Sequence, residues 1–221
     1  MQNMISAIIT AAGKNRRMEE DQKKLGLELK NKLLLDLQGK PIIIQTLEHV
    51  QETIAEQIII VLGHYRDEIK SALKNYKYPN IKLISNVHYD VQLSQTLLNG
   101  ANSVEEGLCL CVAGDQPTVS ANSMRNLIEC ALKHPEEENI VSIMARRKTG
   151  HLNSIEGLGM PFVCHLNLLK KYLPGKNDNL NPILGAMIND GVNFYGVKPG
   201  NELELININR WKDYLKVRKL F

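Results

Sequence analysis

Three short segments of this 221-residue sequence carry residue types suited to binding phosphates and a divalent cation. In the first, the small residues Ala11, Ala12 and Gly13 are followed by Arg16 and Arg17. Small side chains let backbone amides approach an anion, and guanidinium groups add charge-assisted hydrogen bonds. The segment predicts a phosphate-binding turn, although an ordinary strand-to-helix turn with two solvated arginines explains it equally well. It lacks the glycines of the dinucleotide fingerprint and of the Walker loop.

The other two segments contribute a lysine and a carboxylate. Lys32 precedes three leucines and could reach a triphosphate as a point charge, or it could be a solvated residue beside a strand. Asp115 directly follows an apolar run and Gly114. A carboxylate there is well placed to hold Mg²⁺ together with substrate phosphates, and an aspartate turn or cap is the alternative.

These residues need a scaffold, and six short apolar runs predict the strands that provide it. The runs cover residues 5–10, 57–62, 81–85, 108–113, 140–144 and 192–197. Helical patterns rather than hairpin turns separate them, which favours a mostly parallel sheet in an α/β fold. Ligands of such sheets bind beyond the carboxyl ends of the strands, so we expect the Gly13 turn and Asp115 to share one edge.

Helices and loops are predicted from capping residues and periodicity. One helix begins at Pro41, a second covers about residues 66–76, and a third is capped by Ser120 and ends near Pro135. Glycine-rich residues 149–161 and asparagine-rich residues 175–182 are predicted loops. No linker divides the chain, so we expect a single domain over residues 1–221.

Composition and charge narrow the class of protein. With 43% hydrophobic and 23% charged residues, the chain is neither disordered nor collagen-like. A net charge of +3 is too small to favour a nucleic acid or a membrane as partner. No export signal is evident, so we expect a cytoplasmic protein. Cys109, Cys111, Cys130 and Cys164 lack metal-ligand spacing, which favours reduced core thiols over a redox pair at Cys109 and Cys111.

Taken together and in this order, the motifs resemble the MobA-like NTP transferases of the molybdopterin cytidylyltransferase type. The resemblance covers most of the chain. It rests on Ala11-Ala12-Gly13, Arg17-Met18, Lys32-Leu33-Leu34-Leu35, Gly39-Lys40-Pro41, Asn86-Val87-His88-Tyr89, residues 94–100, Gly114-Asp115-Gln116-Pro117, Gly159-Met160-Pro161 and Asn207-Ile208-Asn209. It implies a single-domain, three-layer α/β/α fold with a mostly parallel, Rossmann-like sheet. Residues from 1 to about 135 would bind the nucleotide, and residues from about 136 to 221 the acceptor.

The resemblance also implies an activity. A Mg²⁺-dependent enzyme would move a CMP or GMP unit from CTP or GTP to a phosphorylated small molecule such as molybdopterin, with release of pyrophosphate. Catalysis would rest on Arg17, Lys32 and Asp115, and the metal would bind Asp115 and Asn209. The implied nucleotide-binding residues are Ala11, Ala12, Gly13, Arg17, Lys32, Asn86, Ser94, Thr96 and Gly114. A molybdoenzyme or chaperone is a further expected partner.

Departures from the family pattern keep alternatives open. Residues 19–31 form a longer insert than usual, which we expect to be a flexible flap. The insert makes Lys23 or Lys24 an alternative to Lys32. Asn207 and Asn209 stand where the family commonly has aspartates, and an amide is a weaker metal ligand than a carboxylate.

Two further functions remain as alternatives. A nucleotide-binding accessory protein in cofactor or molybdoenzyme maturation, without turnover, is the alternative that the asparagines suggest. Transferases that make activated sugars or isoprenoid precursors share the glycine turn and the lysine. The isoprenoid branch is disfavoured, because Gly114-Asp115-Gln116 replaces its customary His-Asp-Ala run.

Overall fold

An eight-stranded sheet forms the centre of the computed structural model, which describes residues 4–74, 76 and 80–221. The strands in chain order are β1 (Ile5–Ala11), β2 (Asp36–Leu37), β3 (Lys40–Pro41), β4 (Gln57–Leu62), β5 (Ile81–Ser85), β6 (Leu108–Ala113), β7 (Ile140–Met144), β8 (Gly150–Leu152), β9 (Phe162–His165) and β10 (Asn193–Val197). β2 and β3 form a separate antiparallel pair. The large sheet has the order β5-β4-β1-β6-β9-β7-β10-β8.

The large sheet is mostly parallel, as the sequence predicts. β1 pairs in parallel with both β4 and β6, and β7 pairs in parallel with β10. Two short strands run the other way: β9 is antiparallel to β6 and β7, and β8 is antiparallel to β10. All six predicted strands are confirmed, whereas β8 and β9 were not predicted.

Helices cover both faces of this sheet, which confirms the α/β fold class. They are α1 (Arg16–Lys24), α2 (Ile42–Gln51), α3 (Arg66–Lys74), α4 (Leu93–Ala101), α5 (Ala121–Leu132), α6 (Leu166–Tyr172), α7 (Leu180–Asn189) and α8 (Trp211–Leu220). The helices predicted from Pro41, over residues 66–76 and after Ser120 are confirmed as α2, α3 and α5, with α3 ending at Lys74. Ser120 accepts a hydrogen bond from the amide of Ser123 at 3.2 Å, as a cap does.

Alternation along the strands divides the apolar side chains between two cores. In β1, Ala7 and Ile9 join the core beneath α2, α3, α5 and α8, and Ile8 joins the core beneath α4, α6 and α7. In β6, Leu110 and Cys111 divide in the same way. This period of two is the geometry of an extended chain, and the two cores make the fold three layers deep.

The first half of the insert at residues 19–31, which we expected to be a flexible flap, is helical and hydrogen-bonded to other segments. α1 extends through it to Lys24, and Gln22 is buried. The side-chain amide of Gln22 donates to the carbonyl of Lys30 and accepts from its amide, both at 3.2 Å. Asp21 also accepts a hydrogen bond from Arg210 at 3.0 Å. The insert is thus tied to the rest of the chain.

The two predicted loops are partly wrong. Residues 149–161 include the edge strand β8, and residues 175–182 include the first turn of α7. Pro182 lies in that first turn, where the missing amide hydrogen costs little. The asparagine-rich composition therefore obscured a helix start.

Burial of the cysteines bears on the choice between core thiols and a redox pair. Cys109 and Cys111 lie in the core, where burial raises the pKa of Cys109 to about 12 and that of Cys111 well above its usual value. Because the thiolate is the reactive form, these side chains fit packing rather than redox chemistry.

Among the described residues, no helix combines the length and apolar character needed to cross a bilayer.

A matched pair of glycine substitutions tests the packing of α4 on the sheet. A Cβ at Gly100 would lie 2.5 Å from Cγ2 of Ile8 and 3.2 Å from Cγ2 of Val61, both fully buried. At Gly185 in α7, the nearest atom would be Cδ1 of Ile155 at 3.7 Å. We expect Gly100→Ala to lower the free energy of unfolding by about 1–3 kcal/mol. Gly185→Ala should raise it by about 0.5–1 kcal/mol, because alanine is the better helix former. Urea denaturation measures both, and equal effects of the two substitutions would contradict this packing.

Candidate active site

A cleft of about 430 Å³ opens beyond the carboxyl ends of β1 and β6. It brings together the three segments singled out in the sequence: the Gly13 turn, Lys32 and Asp115. Eight predicted site residues line it: Ala11, Ala12, Gly13, Arg17, Lys32, Thr96, Asp115 and Asn209. The second half of the chain adds Met160, Asn179 and Asn207. The cleft is therefore built from both halves of the sequence.

Two local features fix the position of the Gly13 turn. Asn15 adopts the left-handed conformation (φ 59°) at the start of α1, which directs its side chain back to the segment before Lys32. Its amide donates to the carbonyl of Lys30 at 3.2 Å, and its Oδ1 accepts from the backbone amide of Lys32 at 3.1 Å. At Gly63, after β4, a Cβ would lie 2.6 Å from the carbonyl oxygen of Ala12, so only glycine fits against the turn.

Lys32, Asp115, Arg17 and Asn209 form one polar cluster in the cleft. The ammonium of Lys32 makes a salt bridge with Oδ2 of Asp115 and donates to Oδ1 of Asn209 at 3.0 Å. Arg17 donates to the same amide oxygen at 2.9 Å. The alternatives Lys23 and Lys24 are exposed on α1 and do not line the cleft. Lys32 is thus the lysine that reaches the predicted carboxylate.

A short helical turn directs Lys32 toward the cleft. Residues Lys32–Leu34 form a 3₁₀ turn, and the side chain of Asn31 caps it by accepting from the amide of Leu33 at 2.8 Å. Leu33 is buried in the core and anchors the turn. The hairpin that follows turns at Gln38 (φ 53°) and Gly39 (φ 82°), the left-handed pair of a type I′ turn.

Gln116 positions the segment that carries Asp115. It is fully buried, and its Oε1 accepts from the backbone amide of Ala113 at 3.1 Å. Its Nε2 donates to the carbonyl of Met160 at 2.7 Å and to Oδ1 of Asn207 at 3.1 Å. Gln116 therefore joins the end of β6 to two segments of the second half. Sequence reasoning assigned it no role, although a polar side chain between buried residues must find partners.

Arg146 also binds the Asn207 segment. It follows β7, donates to the carbonyl of Leu205 at 2.7 Å and donates to Oδ1 of Asn207 at 3.1 Å. Its guanidinium is half-buried, and desolvation lowers its pKa from the usual value. The backbone amide of Ile208 donates to the carbonyl of Asp115 at 3.0 Å. These bonds fix Asn207 and Asn209 beside Asp115.

Asn86 and Ser94 do not line the cleft, although we expected both near the base and ribose. Asn86 is buried, donates to Oγ1 of Thr96 at 3.0 Å and accepts from Asn99 at 2.8 Å. Ser94 donates to the carbonyl of Lys176 at 3.1 Å. Asn86 thus bonds to two residues of α4, and Ser94 ties α4 to the segment of Lys176. Of these side chains, that of Thr96 lines the cleft. Direct contact of Asn86 or Ser94 with a nucleotide stays a prediction.

Gly114 also lies outside the lining of the cleft, and close packing explains this glycine. A Cβ there would lie 2.9 Å from Cδ1 of Ile43 and 3.2 Å from the carbonyl oxygen of Thr10. Its own carbonyl accepts from Oγ1 of Thr46 at 3.1 Å. Gly114 thus lets α2 approach the end of β6, directly before Asp115.

The rim of the cleft is electropositive. Lys14, Arg16 and Arg17 line it, and Lys14 pairs with Asp90. Burial lowers the pKa of nearby His64 from 6.5, and the positive charges of Lys14 and Arg16 lower it further. A field that disfavours protonation of a histidine favours an anion, so the rim suits the phosphates of a nucleotide.

The cleft offers oxygen ligands of the kind that a hard divalent cation prefers. Oδ1 of Asp115 is buried without a hydrogen-bond partner. The amide oxygen of Asn209 accepts from the Lys32 ammonium, which also contacts Oδ2 of Asp115. Among the described residues, no three His, Cys, Asp or Glu side chains form a metal-binding group. These donors fit a cation that shares its coordination with substrate phosphates, as Mg²⁺ often does, rather than a metal held by protein alone.

Known proteins resemble this chain in sequence and in overall fold. The family profile described as MobA-like NTP transferase domain matches residues 7–172. A nucleotidyl transferase from Methanothermobacter (Mth528) superposes with a TM-score of 0.91 and is 39% identical, covering 99% of this chain and 97% of its own. The manganese complex of Rv0371C from Mycobacterium tuberculosis superposes with a TM-score of 0.65 over 99% of this chain and 100% of its own, at 16% identity, a likeness of fold alone. The bifunctional protein GlmU of Thermoanaerobacter pseudethanolicus is 28% identical over 68% of this chain, which covers 30% of that protein's length.

Gln116→Leu tests the buried amide that joins the two halves. The substitution leaves the amide of Ala113 and the carbonyl of Met160 without their partner, so we expect the free energy of unfolding to fall by about 2–4 kcal/mol. Gln95→Leu is the control, because the partly buried Gln95 donates to Asn99 one helical turn away within α4. That control should cost under about 0.5 kcal/mol. Urea denaturation of both variants decides, and a similar loss in the two would contradict the role of Gln116.

Titration of His64 tests the electropositive rim. Its pKa, followed by proton NMR, should lie below 6.5 in the free protein. Lys14→Met removes a repelling charge and should raise that pKa, while burial keeps it under the usual value. Lys40→Met, which removes a lysine that pairs with Glu48, should leave it unchanged. A His64 pKa above 6.5 in the wild type would show that the rim lacks this field.

Proposed function

Since this chain belongs to the MobA-like NTP transferase family and is a nucleotidyltransferase, we propose that it transfers a CMP or GMP unit from CTP or GTP to a phosphorylated small molecule. The observation that supports this reaction is the convergence of the Gly13 turn, Lys32 and Asp115 in one cleft. Residues from 1 to about 135 bind the nucleotide in this proposal, and residues from about 136 to 221 bind the acceptor.

The reaction is a displacement at phosphorus. An oxygen of the acceptor's phosphate attacks the α-phosphorus of the nucleotide, the bond from the α-phosphorus to the bridging oxygen breaks, and pyrophosphate leaves. Phosphoryl and nucleotidyl transfers depend on positioning and on neutralising charge rather than on a covalent nucleophile. The polar groups of the cleft supply positioning and charge neutralisation, and they are fixed before the substrate arrives.

Each residue of the cluster has a distinct part in this proposal. Backbone amides of the Gly13 turn bind phosphate oxygens, and Arg17 and Lys32 neutralise the charge that develops on the departing pyrophosphate. Asp115 and the amide oxygen of Asn209 hold Mg²⁺, which supplies Lewis-acid stabilisation of the phosphates when bound. Thr96 and the exposed Gln92, at the start of α4, line the cleft and would contact the nucleoside.

The acceptor in this proposal is molybdopterin, and a phosphorylated sugar is the alternative. Either would enter past Met160, Asn179 and Asn207, which belong to the second half of the chain and line the same cleft. Arg146 follows β7, donates to the side chain of Asn207 and adds positive charge on that side. An acceptor that carries a phosphate suits this surface better than a neutral one.

A pyrophosphate-release assay tests the reaction. Each of the four nucleoside triphosphates is combined with Mg²⁺ and with molybdopterin or a sugar 1-phosphate. We expect turnover with CTP or GTP. Asp115→Asn should lower kcat/KM by about 10²–10³-fold, because the carboxylate charge is lost. The fold should survive, because Asp115 lies at a strand end rather than in the core. Asp67→Asn, on the exposed surface of α3, is the matched control and should retain activity.

One outcome would replace this proposal with an accessory role. It is the absence of turnover with every nucleotide and acceptor, together with tight nucleotide binding that neither Mg²⁺ nor Asp115→Asn changes. Calorimetry measures that binding directly. Circular dichroism of the two aspartate variants shows whether a loss of activity reflects chemistry or folding.

A further inference from the structure

The ammonium of Lys32 lies between the two side chains that are expected to bind the divalent cation. It contacts Oδ2 of Asp115 and Oδ1 of Asn209, and both partner atoms belong to the proposed metal ligands. The Lys32 and Asp115 side chains are only 15% and 13% exposed, so water screens this contact little. A monovalent cation from the chain itself thus occupies the space between these oxygens.

Neither carboxylate oxygen of Asp115 is accessible to a hydrated metal ion in the cleft of the free protein. Oδ1 of Asp115 is buried and has no hydrogen-bond partner, whereas Oδ2 is bonded to Lys32. A hydrated cation that approaches from the cleft therefore meets an oxygen that is already neutralised. Since Mg²⁺ loses its water reluctantly, it requires anionic oxygens that it can reach.

The amide oxygen of Asn209 is likewise occupied by hydrogen-bond donors of the chain. Its oxygen accepts one hydrogen bond from Lys32 at 3.0 Å and another from Arg17 at 2.9 Å. An amide oxygen has two lone pairs, and these two donors use both. Arg17, Lys32 and Asp115 together carry a net positive charge, which repels a further cation until an anion enters.

We propose that Lys32 is the resident counter-ion of the nucleotide-free site, and that a divalent cation binds only when phosphates draw its ammonium away from Asp115 and Asn209. This inference rests on the proposed function for the identity of the phosphates. The triphosphate gives the ammonium a new partner and brings negative charge of its own. Nucleotide and cation therefore bind together, and the free chain has low affinity for the cation alone.

Binding of Mn²⁺, a paramagnetic substitute for Mg²⁺, tests the inference without an activity assay. The full chain is titrated with Mn²⁺ in the absence of nucleotide, and electron paramagnetic resonance measures the free ion. We expect the wild type to bind weakly, and Lys32→Met to bind at least about 10-fold more tightly, because one carboxylate oxygen and one amide lone pair become free. Lys32→Gln, with a polar side chain that retains solubility, is a second variant with the same expectation.

Lys14→Met is the matched control. Lys14 also lines the cleft, but it pairs with Asp90 rather than with Asp115 or Asn209. Its removal subtracts the same charge from the same cleft without freeing either oxygen. We expect Mn²⁺ affinity to change by less than about 3-fold, as screened interactions between separated charges do.

Inorganic tripolyphosphate extends the test to the wild-type protein. It provides the phosphates without a base, and water-proton relaxation distinguishes Mn²⁺ on a slowly tumbling protein from Mn²⁺ on tripolyphosphate alone. We expect tripolyphosphate to bring Mn²⁺ onto the wild-type chain. This measurement needs no substitution, so it remains decisive even if both Lys32 variants fail to fold.

Three results would overturn the inference. The first is tight Mn²⁺ binding by the wild type in the absence of nucleotide and tripolyphosphate. The second is an equal gain in Mn²⁺ affinity from Lys14→Met and Lys32→Met. The third is the absence of protein-bound Mn²⁺ when tripolyphosphate is present. The proposed function fails on different evidence, namely the absence of pyrophosphate release. An active enzyme whose free form binds Mn²⁺ tightly would refute the inference alone.

Discussion

Direct pairing of β1 with β6 is the constraint on which the site depends. Thr10 lies opposite Ala113 in the parallel register, and the amide of Gly114 donates to the carbonyl of Thr10 at 2.9 Å. The chain therefore leaves both strands at the same level, toward the Gly13 turn on one side and toward Asp115 on the other. A shift of register would separate these two segments, since a strand advances about 3.3 Å per residue.

Buried hydrogen bonds extend this constraint to the second half of the chain. Gln116 and the Ile208 amide connect the end of β6 with Met160 and Asn207. Gln116, Met160 and Ile208 are buried, and an unpaired donor or acceptor in such surroundings costs free energy. The segments around Met160 and Asn207 thus keep a fixed position relative to Asp115, and nucleotidyl transfer depends on such positioning.

The elements that the sequence predicts well are those with a strong local signal. Runs of β-branched residues identify β1 and β4, and a polar residue after an apolar run identifies Asp115. β8 and β9 have three and four residues, too few to show a period, and Pro182 and its asparagine neighbours obscured the start of α7. The roles of Gln116 and Arg146 depend on partners 44 to 91 residues away, which local spacing does not reveal.

The left-handed Asn15 joins the Gly13 turn to the backbone of Lys30 and Lys32. Both ends of the intervening segment are therefore anchored at the cleft, and the length of chain between them does not determine where the lysine sits. Closing a longer loop costs only about 0.6 kcal/mol for each doubling of its length. Insertions and deletions between the two anchors can thus accumulate over evolutionary time while the chemistry at the cleft is conserved.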